Sequence, residues 1–278
     1  RPPRSTLFPY TTLFRSVTAL CDVWKRNLES TAARVEKAGL PAPKTFSRFP
    51  DLLALSEVDA VIIATPDFSH SPILVEAARA KKHAYVEKPM ASRIEDANAA
   101  VDAVVSNGIV CQVGTQFRSD GNYMGGARVV QSGVLGQLVK CHATYVRNEP
   151  SWRRSFDDVK PEDVDWEQFL MHLPSESFDP RRFRCWHLYR DFCNGLIGLL
   201  GVHVIDIAHW YAEDPIPVCA VGLGAKQVWT DREHDDLQEC LFTYPKGHLM
   251  QFTGRLDNAN GGPPNVFPGT RGPLDTKS

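Results

Sequence analysis

Three side chains stand where chemistry would need them. Lys88 stands in the middle of "YVEKPMA" (85–91), after an apolar strand-like run, with Glu87 before it and Pro89 stiffening the exit. Lysine is seldom buried without a task, and burial draws its pKa down into a useful range. His203 sits in "GVHVIDIAHW" (201–210), a helical stretch that also carries Gly201 and, three residues on, Asp206. An imidazole titrates near neutral pH and can take up or release a proton during a reaction. Asp22 ends the β-rich run "VTALCDVW" (17–24), and Thr65, Pro66 and His70 follow the apolar run "VDAVIIATP" (58–66). "SHSP" (69–72) also reads as an ordinary helix start, and Asp22 as an ordinary helix cap.

These residues need a scaffold, and the apolar patterning supplies one. Helical patterns are expected at 27–39 (closed by Gly39), 71–81 and 92–107, with strands at 17–24, 58–66, 83–89 and 109–116. Fully apolar strands alternating with helices of this length make βαβ units, hence a doubly wound parallel sheet. Beyond Arg118 the character changes. A helix at 122–132, a turn at Gly133–Gly136 and a strand at 137–148 precede a Trp-, Arg-, Asp- and Pro-rich stretch, 150–192, of loops and short helices. A helix at 196–212 then leads to strands at 217–229, 237–244 and 247–256, with "YPKG" (244–247) as a hairpin turn. The fold class is therefore α/β, a Rossmann-type sheet followed by an α+β domain with an open, mainly antiparallel sheet.

Composition excludes several classes. Of 278 residues, 43% are hydrophobic and 23% charged, a globular balance, and no apolar run is long enough to span a membrane. The formal charge is −2 with basic residues scattered, which leaves no footprint for nucleic acid. Seven dispersed cysteines without a CxxC pair point to free thiols, a cytoplasmic setting and no metal site.

"ATPDFSHSP" (64–72), "YVEKPMA" and "GVHVIDIAHW", in this order and spacing, resemble the Gfo/Idh/MocA family, the glucose–fructose oxidoreductase and inositol dehydrogenase relatives. The resemblance runs from Val17 to about residue 273. It implies a dinucleotide-binding domain over 17–118 and a substrate-binding and oligomerisation domain over 119–278, missing some C-terminal structure. It also implies an NAD-dependent hydride transfer at a secondary hydroxyl of a sugar, cyclic polyol or derivative. In that scheme Lys88 polarises the substrate oxygen and His203 moves the proton, and Gly201 lets the helix approach the cofactor. Asp22 holds the adenosine ribose, favouring NAD over NADP, although Lys25 and Arg26 lie close behind. Thr65, Pro66, His70, Glu87, Lys88, Pro89 and Gln116 complete the cofactor side. Relatives of this kind associate through the second domain's sheet, which implies a homo-oligomer. Two other activities remain open: redox-neutral cleavage or isomerisation of a glycoside, and nonenzymatic NAD-dependent regulation. Trp186, His187 and Tyr189, with Arg184 and Arg190 interleaved, suit a polyol and a packed interface equally.

Two departures stand out. Where many relatives place Asp four residues before the histidine, this chain has Leu199, so Asp206 is the remaining carboxylate on that helix to orient His203. In addition, 1–16 contains no glycine, and Thr6 to Ser16 is the in-frame translation of a common short-read sequencing adapter. Residues 1–16 are thus expected to be a non-native leader in place of the first βα unit and its phosphate-binding turn. Without the helix N-terminus that holds a pyrophosphate, the 278-residue chain is expected to bind NAD more weakly than micromolar. Calorimetry giving a micromolar Kd would contradict that expectation.

Overall fold

The computed structural model describes residues 16–148, 154–258, 262 and 264–276; the expected leader, 1–16, lies outside them apart from Ser16. The first half alternates as the apolar pattern requires. β1 (Ala19–Cys21), α1 (Lys25–Lys37), β2 (Lys44–Phe46) and α2 (Phe49–Leu53) are followed by β3 (Ala60–Ile63), α3 (His70–Arg79), β4 (His83–Val86), α4 (Ile94–Asn107) and β5 (Cys111–Val113). α4 stops where Gly108 takes φ +64°, a left-handed cap that glycine adopts without a Cβ penalty. β2 and α2 were not foreseen. "KTF" is too short to show a period, and Pro at the start of α2 reads first as a turn signal.

The parallel sheet is in two pieces. β1 pairs with β2, and β3, β4 and β5 pair in that order, every pair parallel. Between the pieces lies a cleft of about 630 Å³, lined by Ser16–Trp24 on one side and Ala60–Pro66 on the other. Ile63, Leu74, Ala84 and Val86 pack beneath it as the core of the three-stranded piece.

The second half is built on one large sheet. α5 (Gly121–Gln131) precedes β6 (Lys140–Val146); α6 (Trp166–Leu170) and α7 (Pro180–Arg184) occupy the aromatic stretch, and α8 (Val202–Ala212) follows. β7 (Cys219–Ala225), β8 (Leu237–Thr243), β9 (Leu249–Arg255), β10 (Val266–Gly269) and β11 (Gly272–Asp275) complete it. The strand order is β11-β10-β6-β9-β8-β7, antiparallel throughout except for the parallel β6–β9 pair. The β10–β11 hairpin was not expected, because "VFPGTRGPLD" carries two prolines and two glycines. Its place at the sheet edge is where proline is tolerated.

One face of this sheet packs on α8: Met250 and Phe252 of β9 are fully buried against Val204, Ile207 and Ala208. The other face is open and apolar, with Val221, Leu223, Leu241 and Leu249 between 47% and 78% exposed. Before α8, residues Ile197–Gly201 form a π-helical turn rather than the α-helix expected from residue 196. Gly201 belongs to this packing. A Cβ at that position would lie 2.7 Å from the Phe252 ring, so the glycine is what lets the helix sit down on the sheet. Gly201→Ala overpacks this contact and should cost roughly 1–3 kcal/mol of stability, read as a lowered midpoint in thermal or urea unfolding.

Candidate active site

β4 ends at fully buried Val86, and the chain leaves it over β3: Glu87 N–H donates to Ile63 O at 2.8 Å. That bond delivers Lys88 to the carboxyl edge of the parallel strands, where ligands bind in open α/β sheets. Lys88 Nζ then crosses to the second domain and donates to Leu199 O, 2.6 Å away in the π-helical turn. Burial draws the Lys88 ammonium below the usual lysine range, while the carboxylates of Asp67 and Glu87 work to hold it up.

His203 lies four residues beyond Leu199, one helical turn further on. It is 6% exposed and stacks on Phe117, with ring centroids 4.6 Å apart, and Phe117 in turn stacks on Tyr123. Its Nδ1 is buried with no hydrogen-bond partner among the described residues. Burial, and after it the positive charge of Lys88, bring its pKa down to about 4, with Asp206 opposing. Lys88 and His203 therefore share one electrostatic environment although separate domains supply them.

Several of the remaining candidates serve the scaffold. Asp206 does not orient His203: its two oxygens accept from Arg118 Nε and Nη2 at 2.7 and 2.8 Å, and the Arg118 guanidinium lies over Trp210. Its influence on the imidazole acts only through space. His70, 1% exposed, does not face the cleft either. Its ring spans two carbonyls, Nδ1 to Pro89 O and Nε2 to Thr65 O, both at 2.7 Å. With Ser71 Oγ donating to Met90 O at 2.7 Å, it clamps the loop after Lys88 to the loop after β3. Pro89 follows Lys88 through a cis peptide bond. Glu87 sits against Gly114, where a Cβ would come within 3.2 Å of its carboxyl carbon, a positional role. Gln116 is exposed, beside Phe117 in a short 3-10 turn.

The cleft between the sheet pieces gathers the others. Asp22 and Asn27 line it at the end of β1, and Thr65 and Pro66 at the end of β3. Asp22 accepts from Trp24 N–H at 2.8 Å, and burial raises its carboxyl against the opposing pull of that bond, Asn27 and Arg184. These groups fit a ribose and its neighbouring base: a carboxylate acceptor, a short polar turn and apolar walls. Arg184 and Trp186 of the aromatic stretch also line this cleft, Arg184 lying over the Trp24 ring. Tyr189 packs under Arg182, and Arg190 bonds to Glu233, so that stretch is mainly internal packing. Among the described residues no cluster of His, Cys, Asp or Glu has the arrangement of a metal site, and no helix is long and apolar enough to cross a membrane.

Sequence reasoning missed three contributors. Phe117 stacks on the imidazole, the Leu199 carbonyl anchors the lysine, and Asp67, 3% exposed and with Oδ2 unpartnered among the described residues, acts on Lys88 through its charge. Asp67 stood inside "TPDFSH", where Asp is commonest as a turn opener.

Comparison with known proteins gives the family of this fold. Residues 7–115 match the GFO_IDH_MocA model, an oxidoreductase family with an NAD-binding Rossmann fold, and residues 167–274 match the GFO/IDH/MocA C-terminal domain. A "Glycosyl hydrolase family 109 protein" of Shewanella sp. (strain W3-18-1) is 28% identical over 146 residues, covering 51% of this chain and 32% of that protein. The scyllo-inositol 2-dehydrogenase (NAD(+)) of Bacillus subtilis is 38% identical over 82 residues, 30% of this chain and 24% of that one. Among solved structures, the WlbA dehydrogenase of Bordetella pertussis, in complex with NADH and UDP-GlcNAcA, superposes with a TM-score of 0.72 at 19% identity. That match covers 91% of this chain and 68% of the other. The chain thus spans about a third or less of these curated relatives.

If Lys88 and His203 share one environment, the imidazole should titrate near pH 4 by NMR and stay neutral through the physiological range. Lys88→Met removes a nearby positive charge, and the His203 midpoint should then move upward. An unmoved midpoint would separate the two groups.

Proposed function

The chain belongs to the Gfo/Idh/MocA oxidoreductase family, and on that premise we propose that the whole protein is an NAD-dependent dehydrogenase. Its substrate is a secondary hydroxyl of a sugar, cyclic polyol or derivative. The observation that supports this reading is the Lys88–Leu199 bond, which ties a lysine from one domain to the turn just ahead of His203, whose Nδ1 has no hydrogen-bond partner among the described residues.

NAD supplies the hydride acceptor. What the chain's own residues contribute follows from their protonation and donors. An ammonium has three donors, and one of them is on Leu199 O, so two remain for a substrate oxygen. Held there, the lysine lowers the cost of negative charge developing on that oxygen in a partly desolvated site. His203, kept neutral, offers a lone pair to the hydroxyl proton, and its Phe117 stack fixes the ring plane. Asp22 and the Thr65–Pro66 turn take the ribose side of the cofactor in the cleft. Gln116, exposed on its turn, is the candidate for the nicotinamide side.

The domain division proposed is 17–118 for the dinucleotide and 119–278 for substrate and self-association. The open face of the large sheet, with Val221, Leu223 and Leu241, supports a homo-oligomer. Seven free cysteines support a reducing, cytoplasmic setting.

A second reading has its own support. The family 109 relatives are named as glycosyl hydrolases, so a redox-neutral cleavage of a glycoside is the alternative. Product analysis separates the two. Incubated with NAD and a panel of cyclic polyols and sugars, the whole protein should accumulate NADH, and Lys88→Ala should lower kcat by about 10²-fold or more. Glycoside cleavage without net NADH would establish the second reading instead. Neither product would remove both.

A further inference from the structure

The positive charge of the nucleotide cleft comes from the second half of the chain. Among its described lining residues the cations are Arg154 and Arg184, set against one carboxylate, Asp22. None of these lining residues is a glycine, so no stretch of bare backbone is offered there for close approach to a phosphate. Side-chain charge is the cleft's strongest means of holding an anion.

Arg184 is fixed from several directions. It ends α7, whose Phe183 packs edge-on against Trp24 with ring centroids 5.9 Å apart, and its guanidinium lies over the same indole at 4.7 Å. Trp24 is 2% exposed and is tied to the second half through the backbone: it bridges to Val164, and Asp165 N–H donates to Val23 O at 2.8 Å. Arg154 is brought alongside by its carbonyl, which accepts from Cys185 Sγ, on the residue after Arg184, at 3.2 Å. Other arginines of this region are already committed. Arg181 pairs with Asp231, Arg182 with Glu176 and Asp191, and Arg26 with Asp158. Arg184 differs: its Nε is buried with no hydrogen-bond partner among the described residues. A guanidinium stacked on an aromatic ring still presents its edge, a planar fork of donors that matches phosphate oxygens.

We propose that Arg184, with Arg154 beside it, is a phosphoryl-binding subsite of the nucleotide cleft, supplied by the second half of the chain at the Asp22 end of β1. A dinucleotide offers two such groups, the pyrophosphate bridge and, in its 2′-phosphorylated form, the ribose phosphate. Two arginines against Asp22 leave one positive charge in surplus, since Arg26 and Asp158 offset each other. Burial, and after it Arg154, draws the Arg184 guanidinium below the usual arginine range, as expected where a neighbouring cation outweighs Asp158. A phosphate held here ties the second half of the chain to the nucleotide that the first half receives. The subsite rests on the nucleotide reading of the cleft and not on the hydride chemistry.

Calorimetric titration of the full chain with adenosine, adenosine 2′-phosphate and adenosine 5′-diphosphate reads the subsite. One phosphorylated probe should bind about tenfold or more tightly than adenosine. Arg184→Met should remove that advantage and leave the adenosine Kd unchanged. Arg184→Lys should restore part of it, because the charge returns without the fork. Loss at the 5′-diphosphate assigns the subsite to the pyrophosphate, and loss at the 2′-phosphate assigns it to the ribose phosphate. Equal affinity of the wild type for all three probes overturns the proposal. So does binding of neither phosphorylated probe, or a phosphate advantage that survives Arg184→Met.

Should Arg184→Met fail to fold, phenylglyoxal labelling of the wild-type chain, followed by peptide mass spectrometry, compares Arg184 with exposed Arg34. The tighter phosphorylated probe at saturation should slow labelling at Arg184 severalfold and leave Arg34 unchanged, and adenosine should protect neither. Equal protection by adenosine, or no protection, overturns the subsite. Neither experiment reads turnover. A whole protein that makes NADH while these probes show no phosphate advantage would remove this subsite alone, and one that makes no NADH while they do would end only the dehydrogenase reading.

Discussion

One hydrogen bond organises the site: the lysine at the end of β4 donates across the domain boundary to a carbonyl on the helix that carries the histidine. Its geometry depends on the π-helical turn, in which the extra residue re-aims the carbonyls before α8 begins. It depends also on Gly201, since only a residue without a Cβ lets that turn press against Phe252 of the sheet. The bond therefore couples the parallel strands, the helix and the large sheet. Loss of any one of these would move the lysine relative to the imidazole, and in catalysis a displacement of about 1 Å can cost two orders of magnitude.

Electrostatics follow from that coupling. Two potential cations lie in one partly dry pocket, and a low dielectric makes their mutual repulsion costly. The structure resolves the conflict by division of labour. The lysine keeps company with carboxylates from its own domain, while the imidazole is held by aromatic stacking and stays neutral. A carboxylate hydrogen-bonded to the histidine would have favoured the imidazolium. Asp206, spent on Arg118, cannot do so, and the Arg118–Trp210 stack keeps it spent.

The sequence makes the scaffold legible where patterns are long and regular. Alternating apolar strands and helices foretell α1, α3, α4, α5 and the antiparallel β8–β9 pair with its "YPKG" turn, because burial alone sets those periods. It conveys less where two structures share one pattern. "NGLIGLLGVHV" is apolar all round, so nothing in its spacing separates a π-helical turn from an α-helical one. The same ambiguity governs the site. Lys88 and His203 stand out because their types are rare at such positions. His70 and Asp206 stood out equally, yet both turned out to bond the scaffold, since a histidine between two carbonyls and a carboxylate in an arginine fork leave no mark on spacing. Asp67 was hidden for the opposite reason: a commonplace turn residue whose importance comes only from burial.

The two halves of the site differ in how firmly the fold specifies them. The lysine–histidine half is over-determined, with bonds from Glu87 to Ile63, from Phe68 to Phe192 and from Asn194 Nδ2 to Ser92 O all crossing between strands, turns and domains around it. The cleft is walled by the edges of β1 and β3, which pair with no further strand among the described residues, and its polar groups sit at the carboxyl ends of those strands. A strand edge offers backbone donors and acceptors but little shape, so the side chains of Asp22, Asn27, Thr65 and Arg184 give the cleft its polar character. The lysine and the histidine are thus tied together by bonds from both halves of the chain, whereas the cleft is walled chiefly by the first half, with Arg184 and Trp186 of the second among its lining residues.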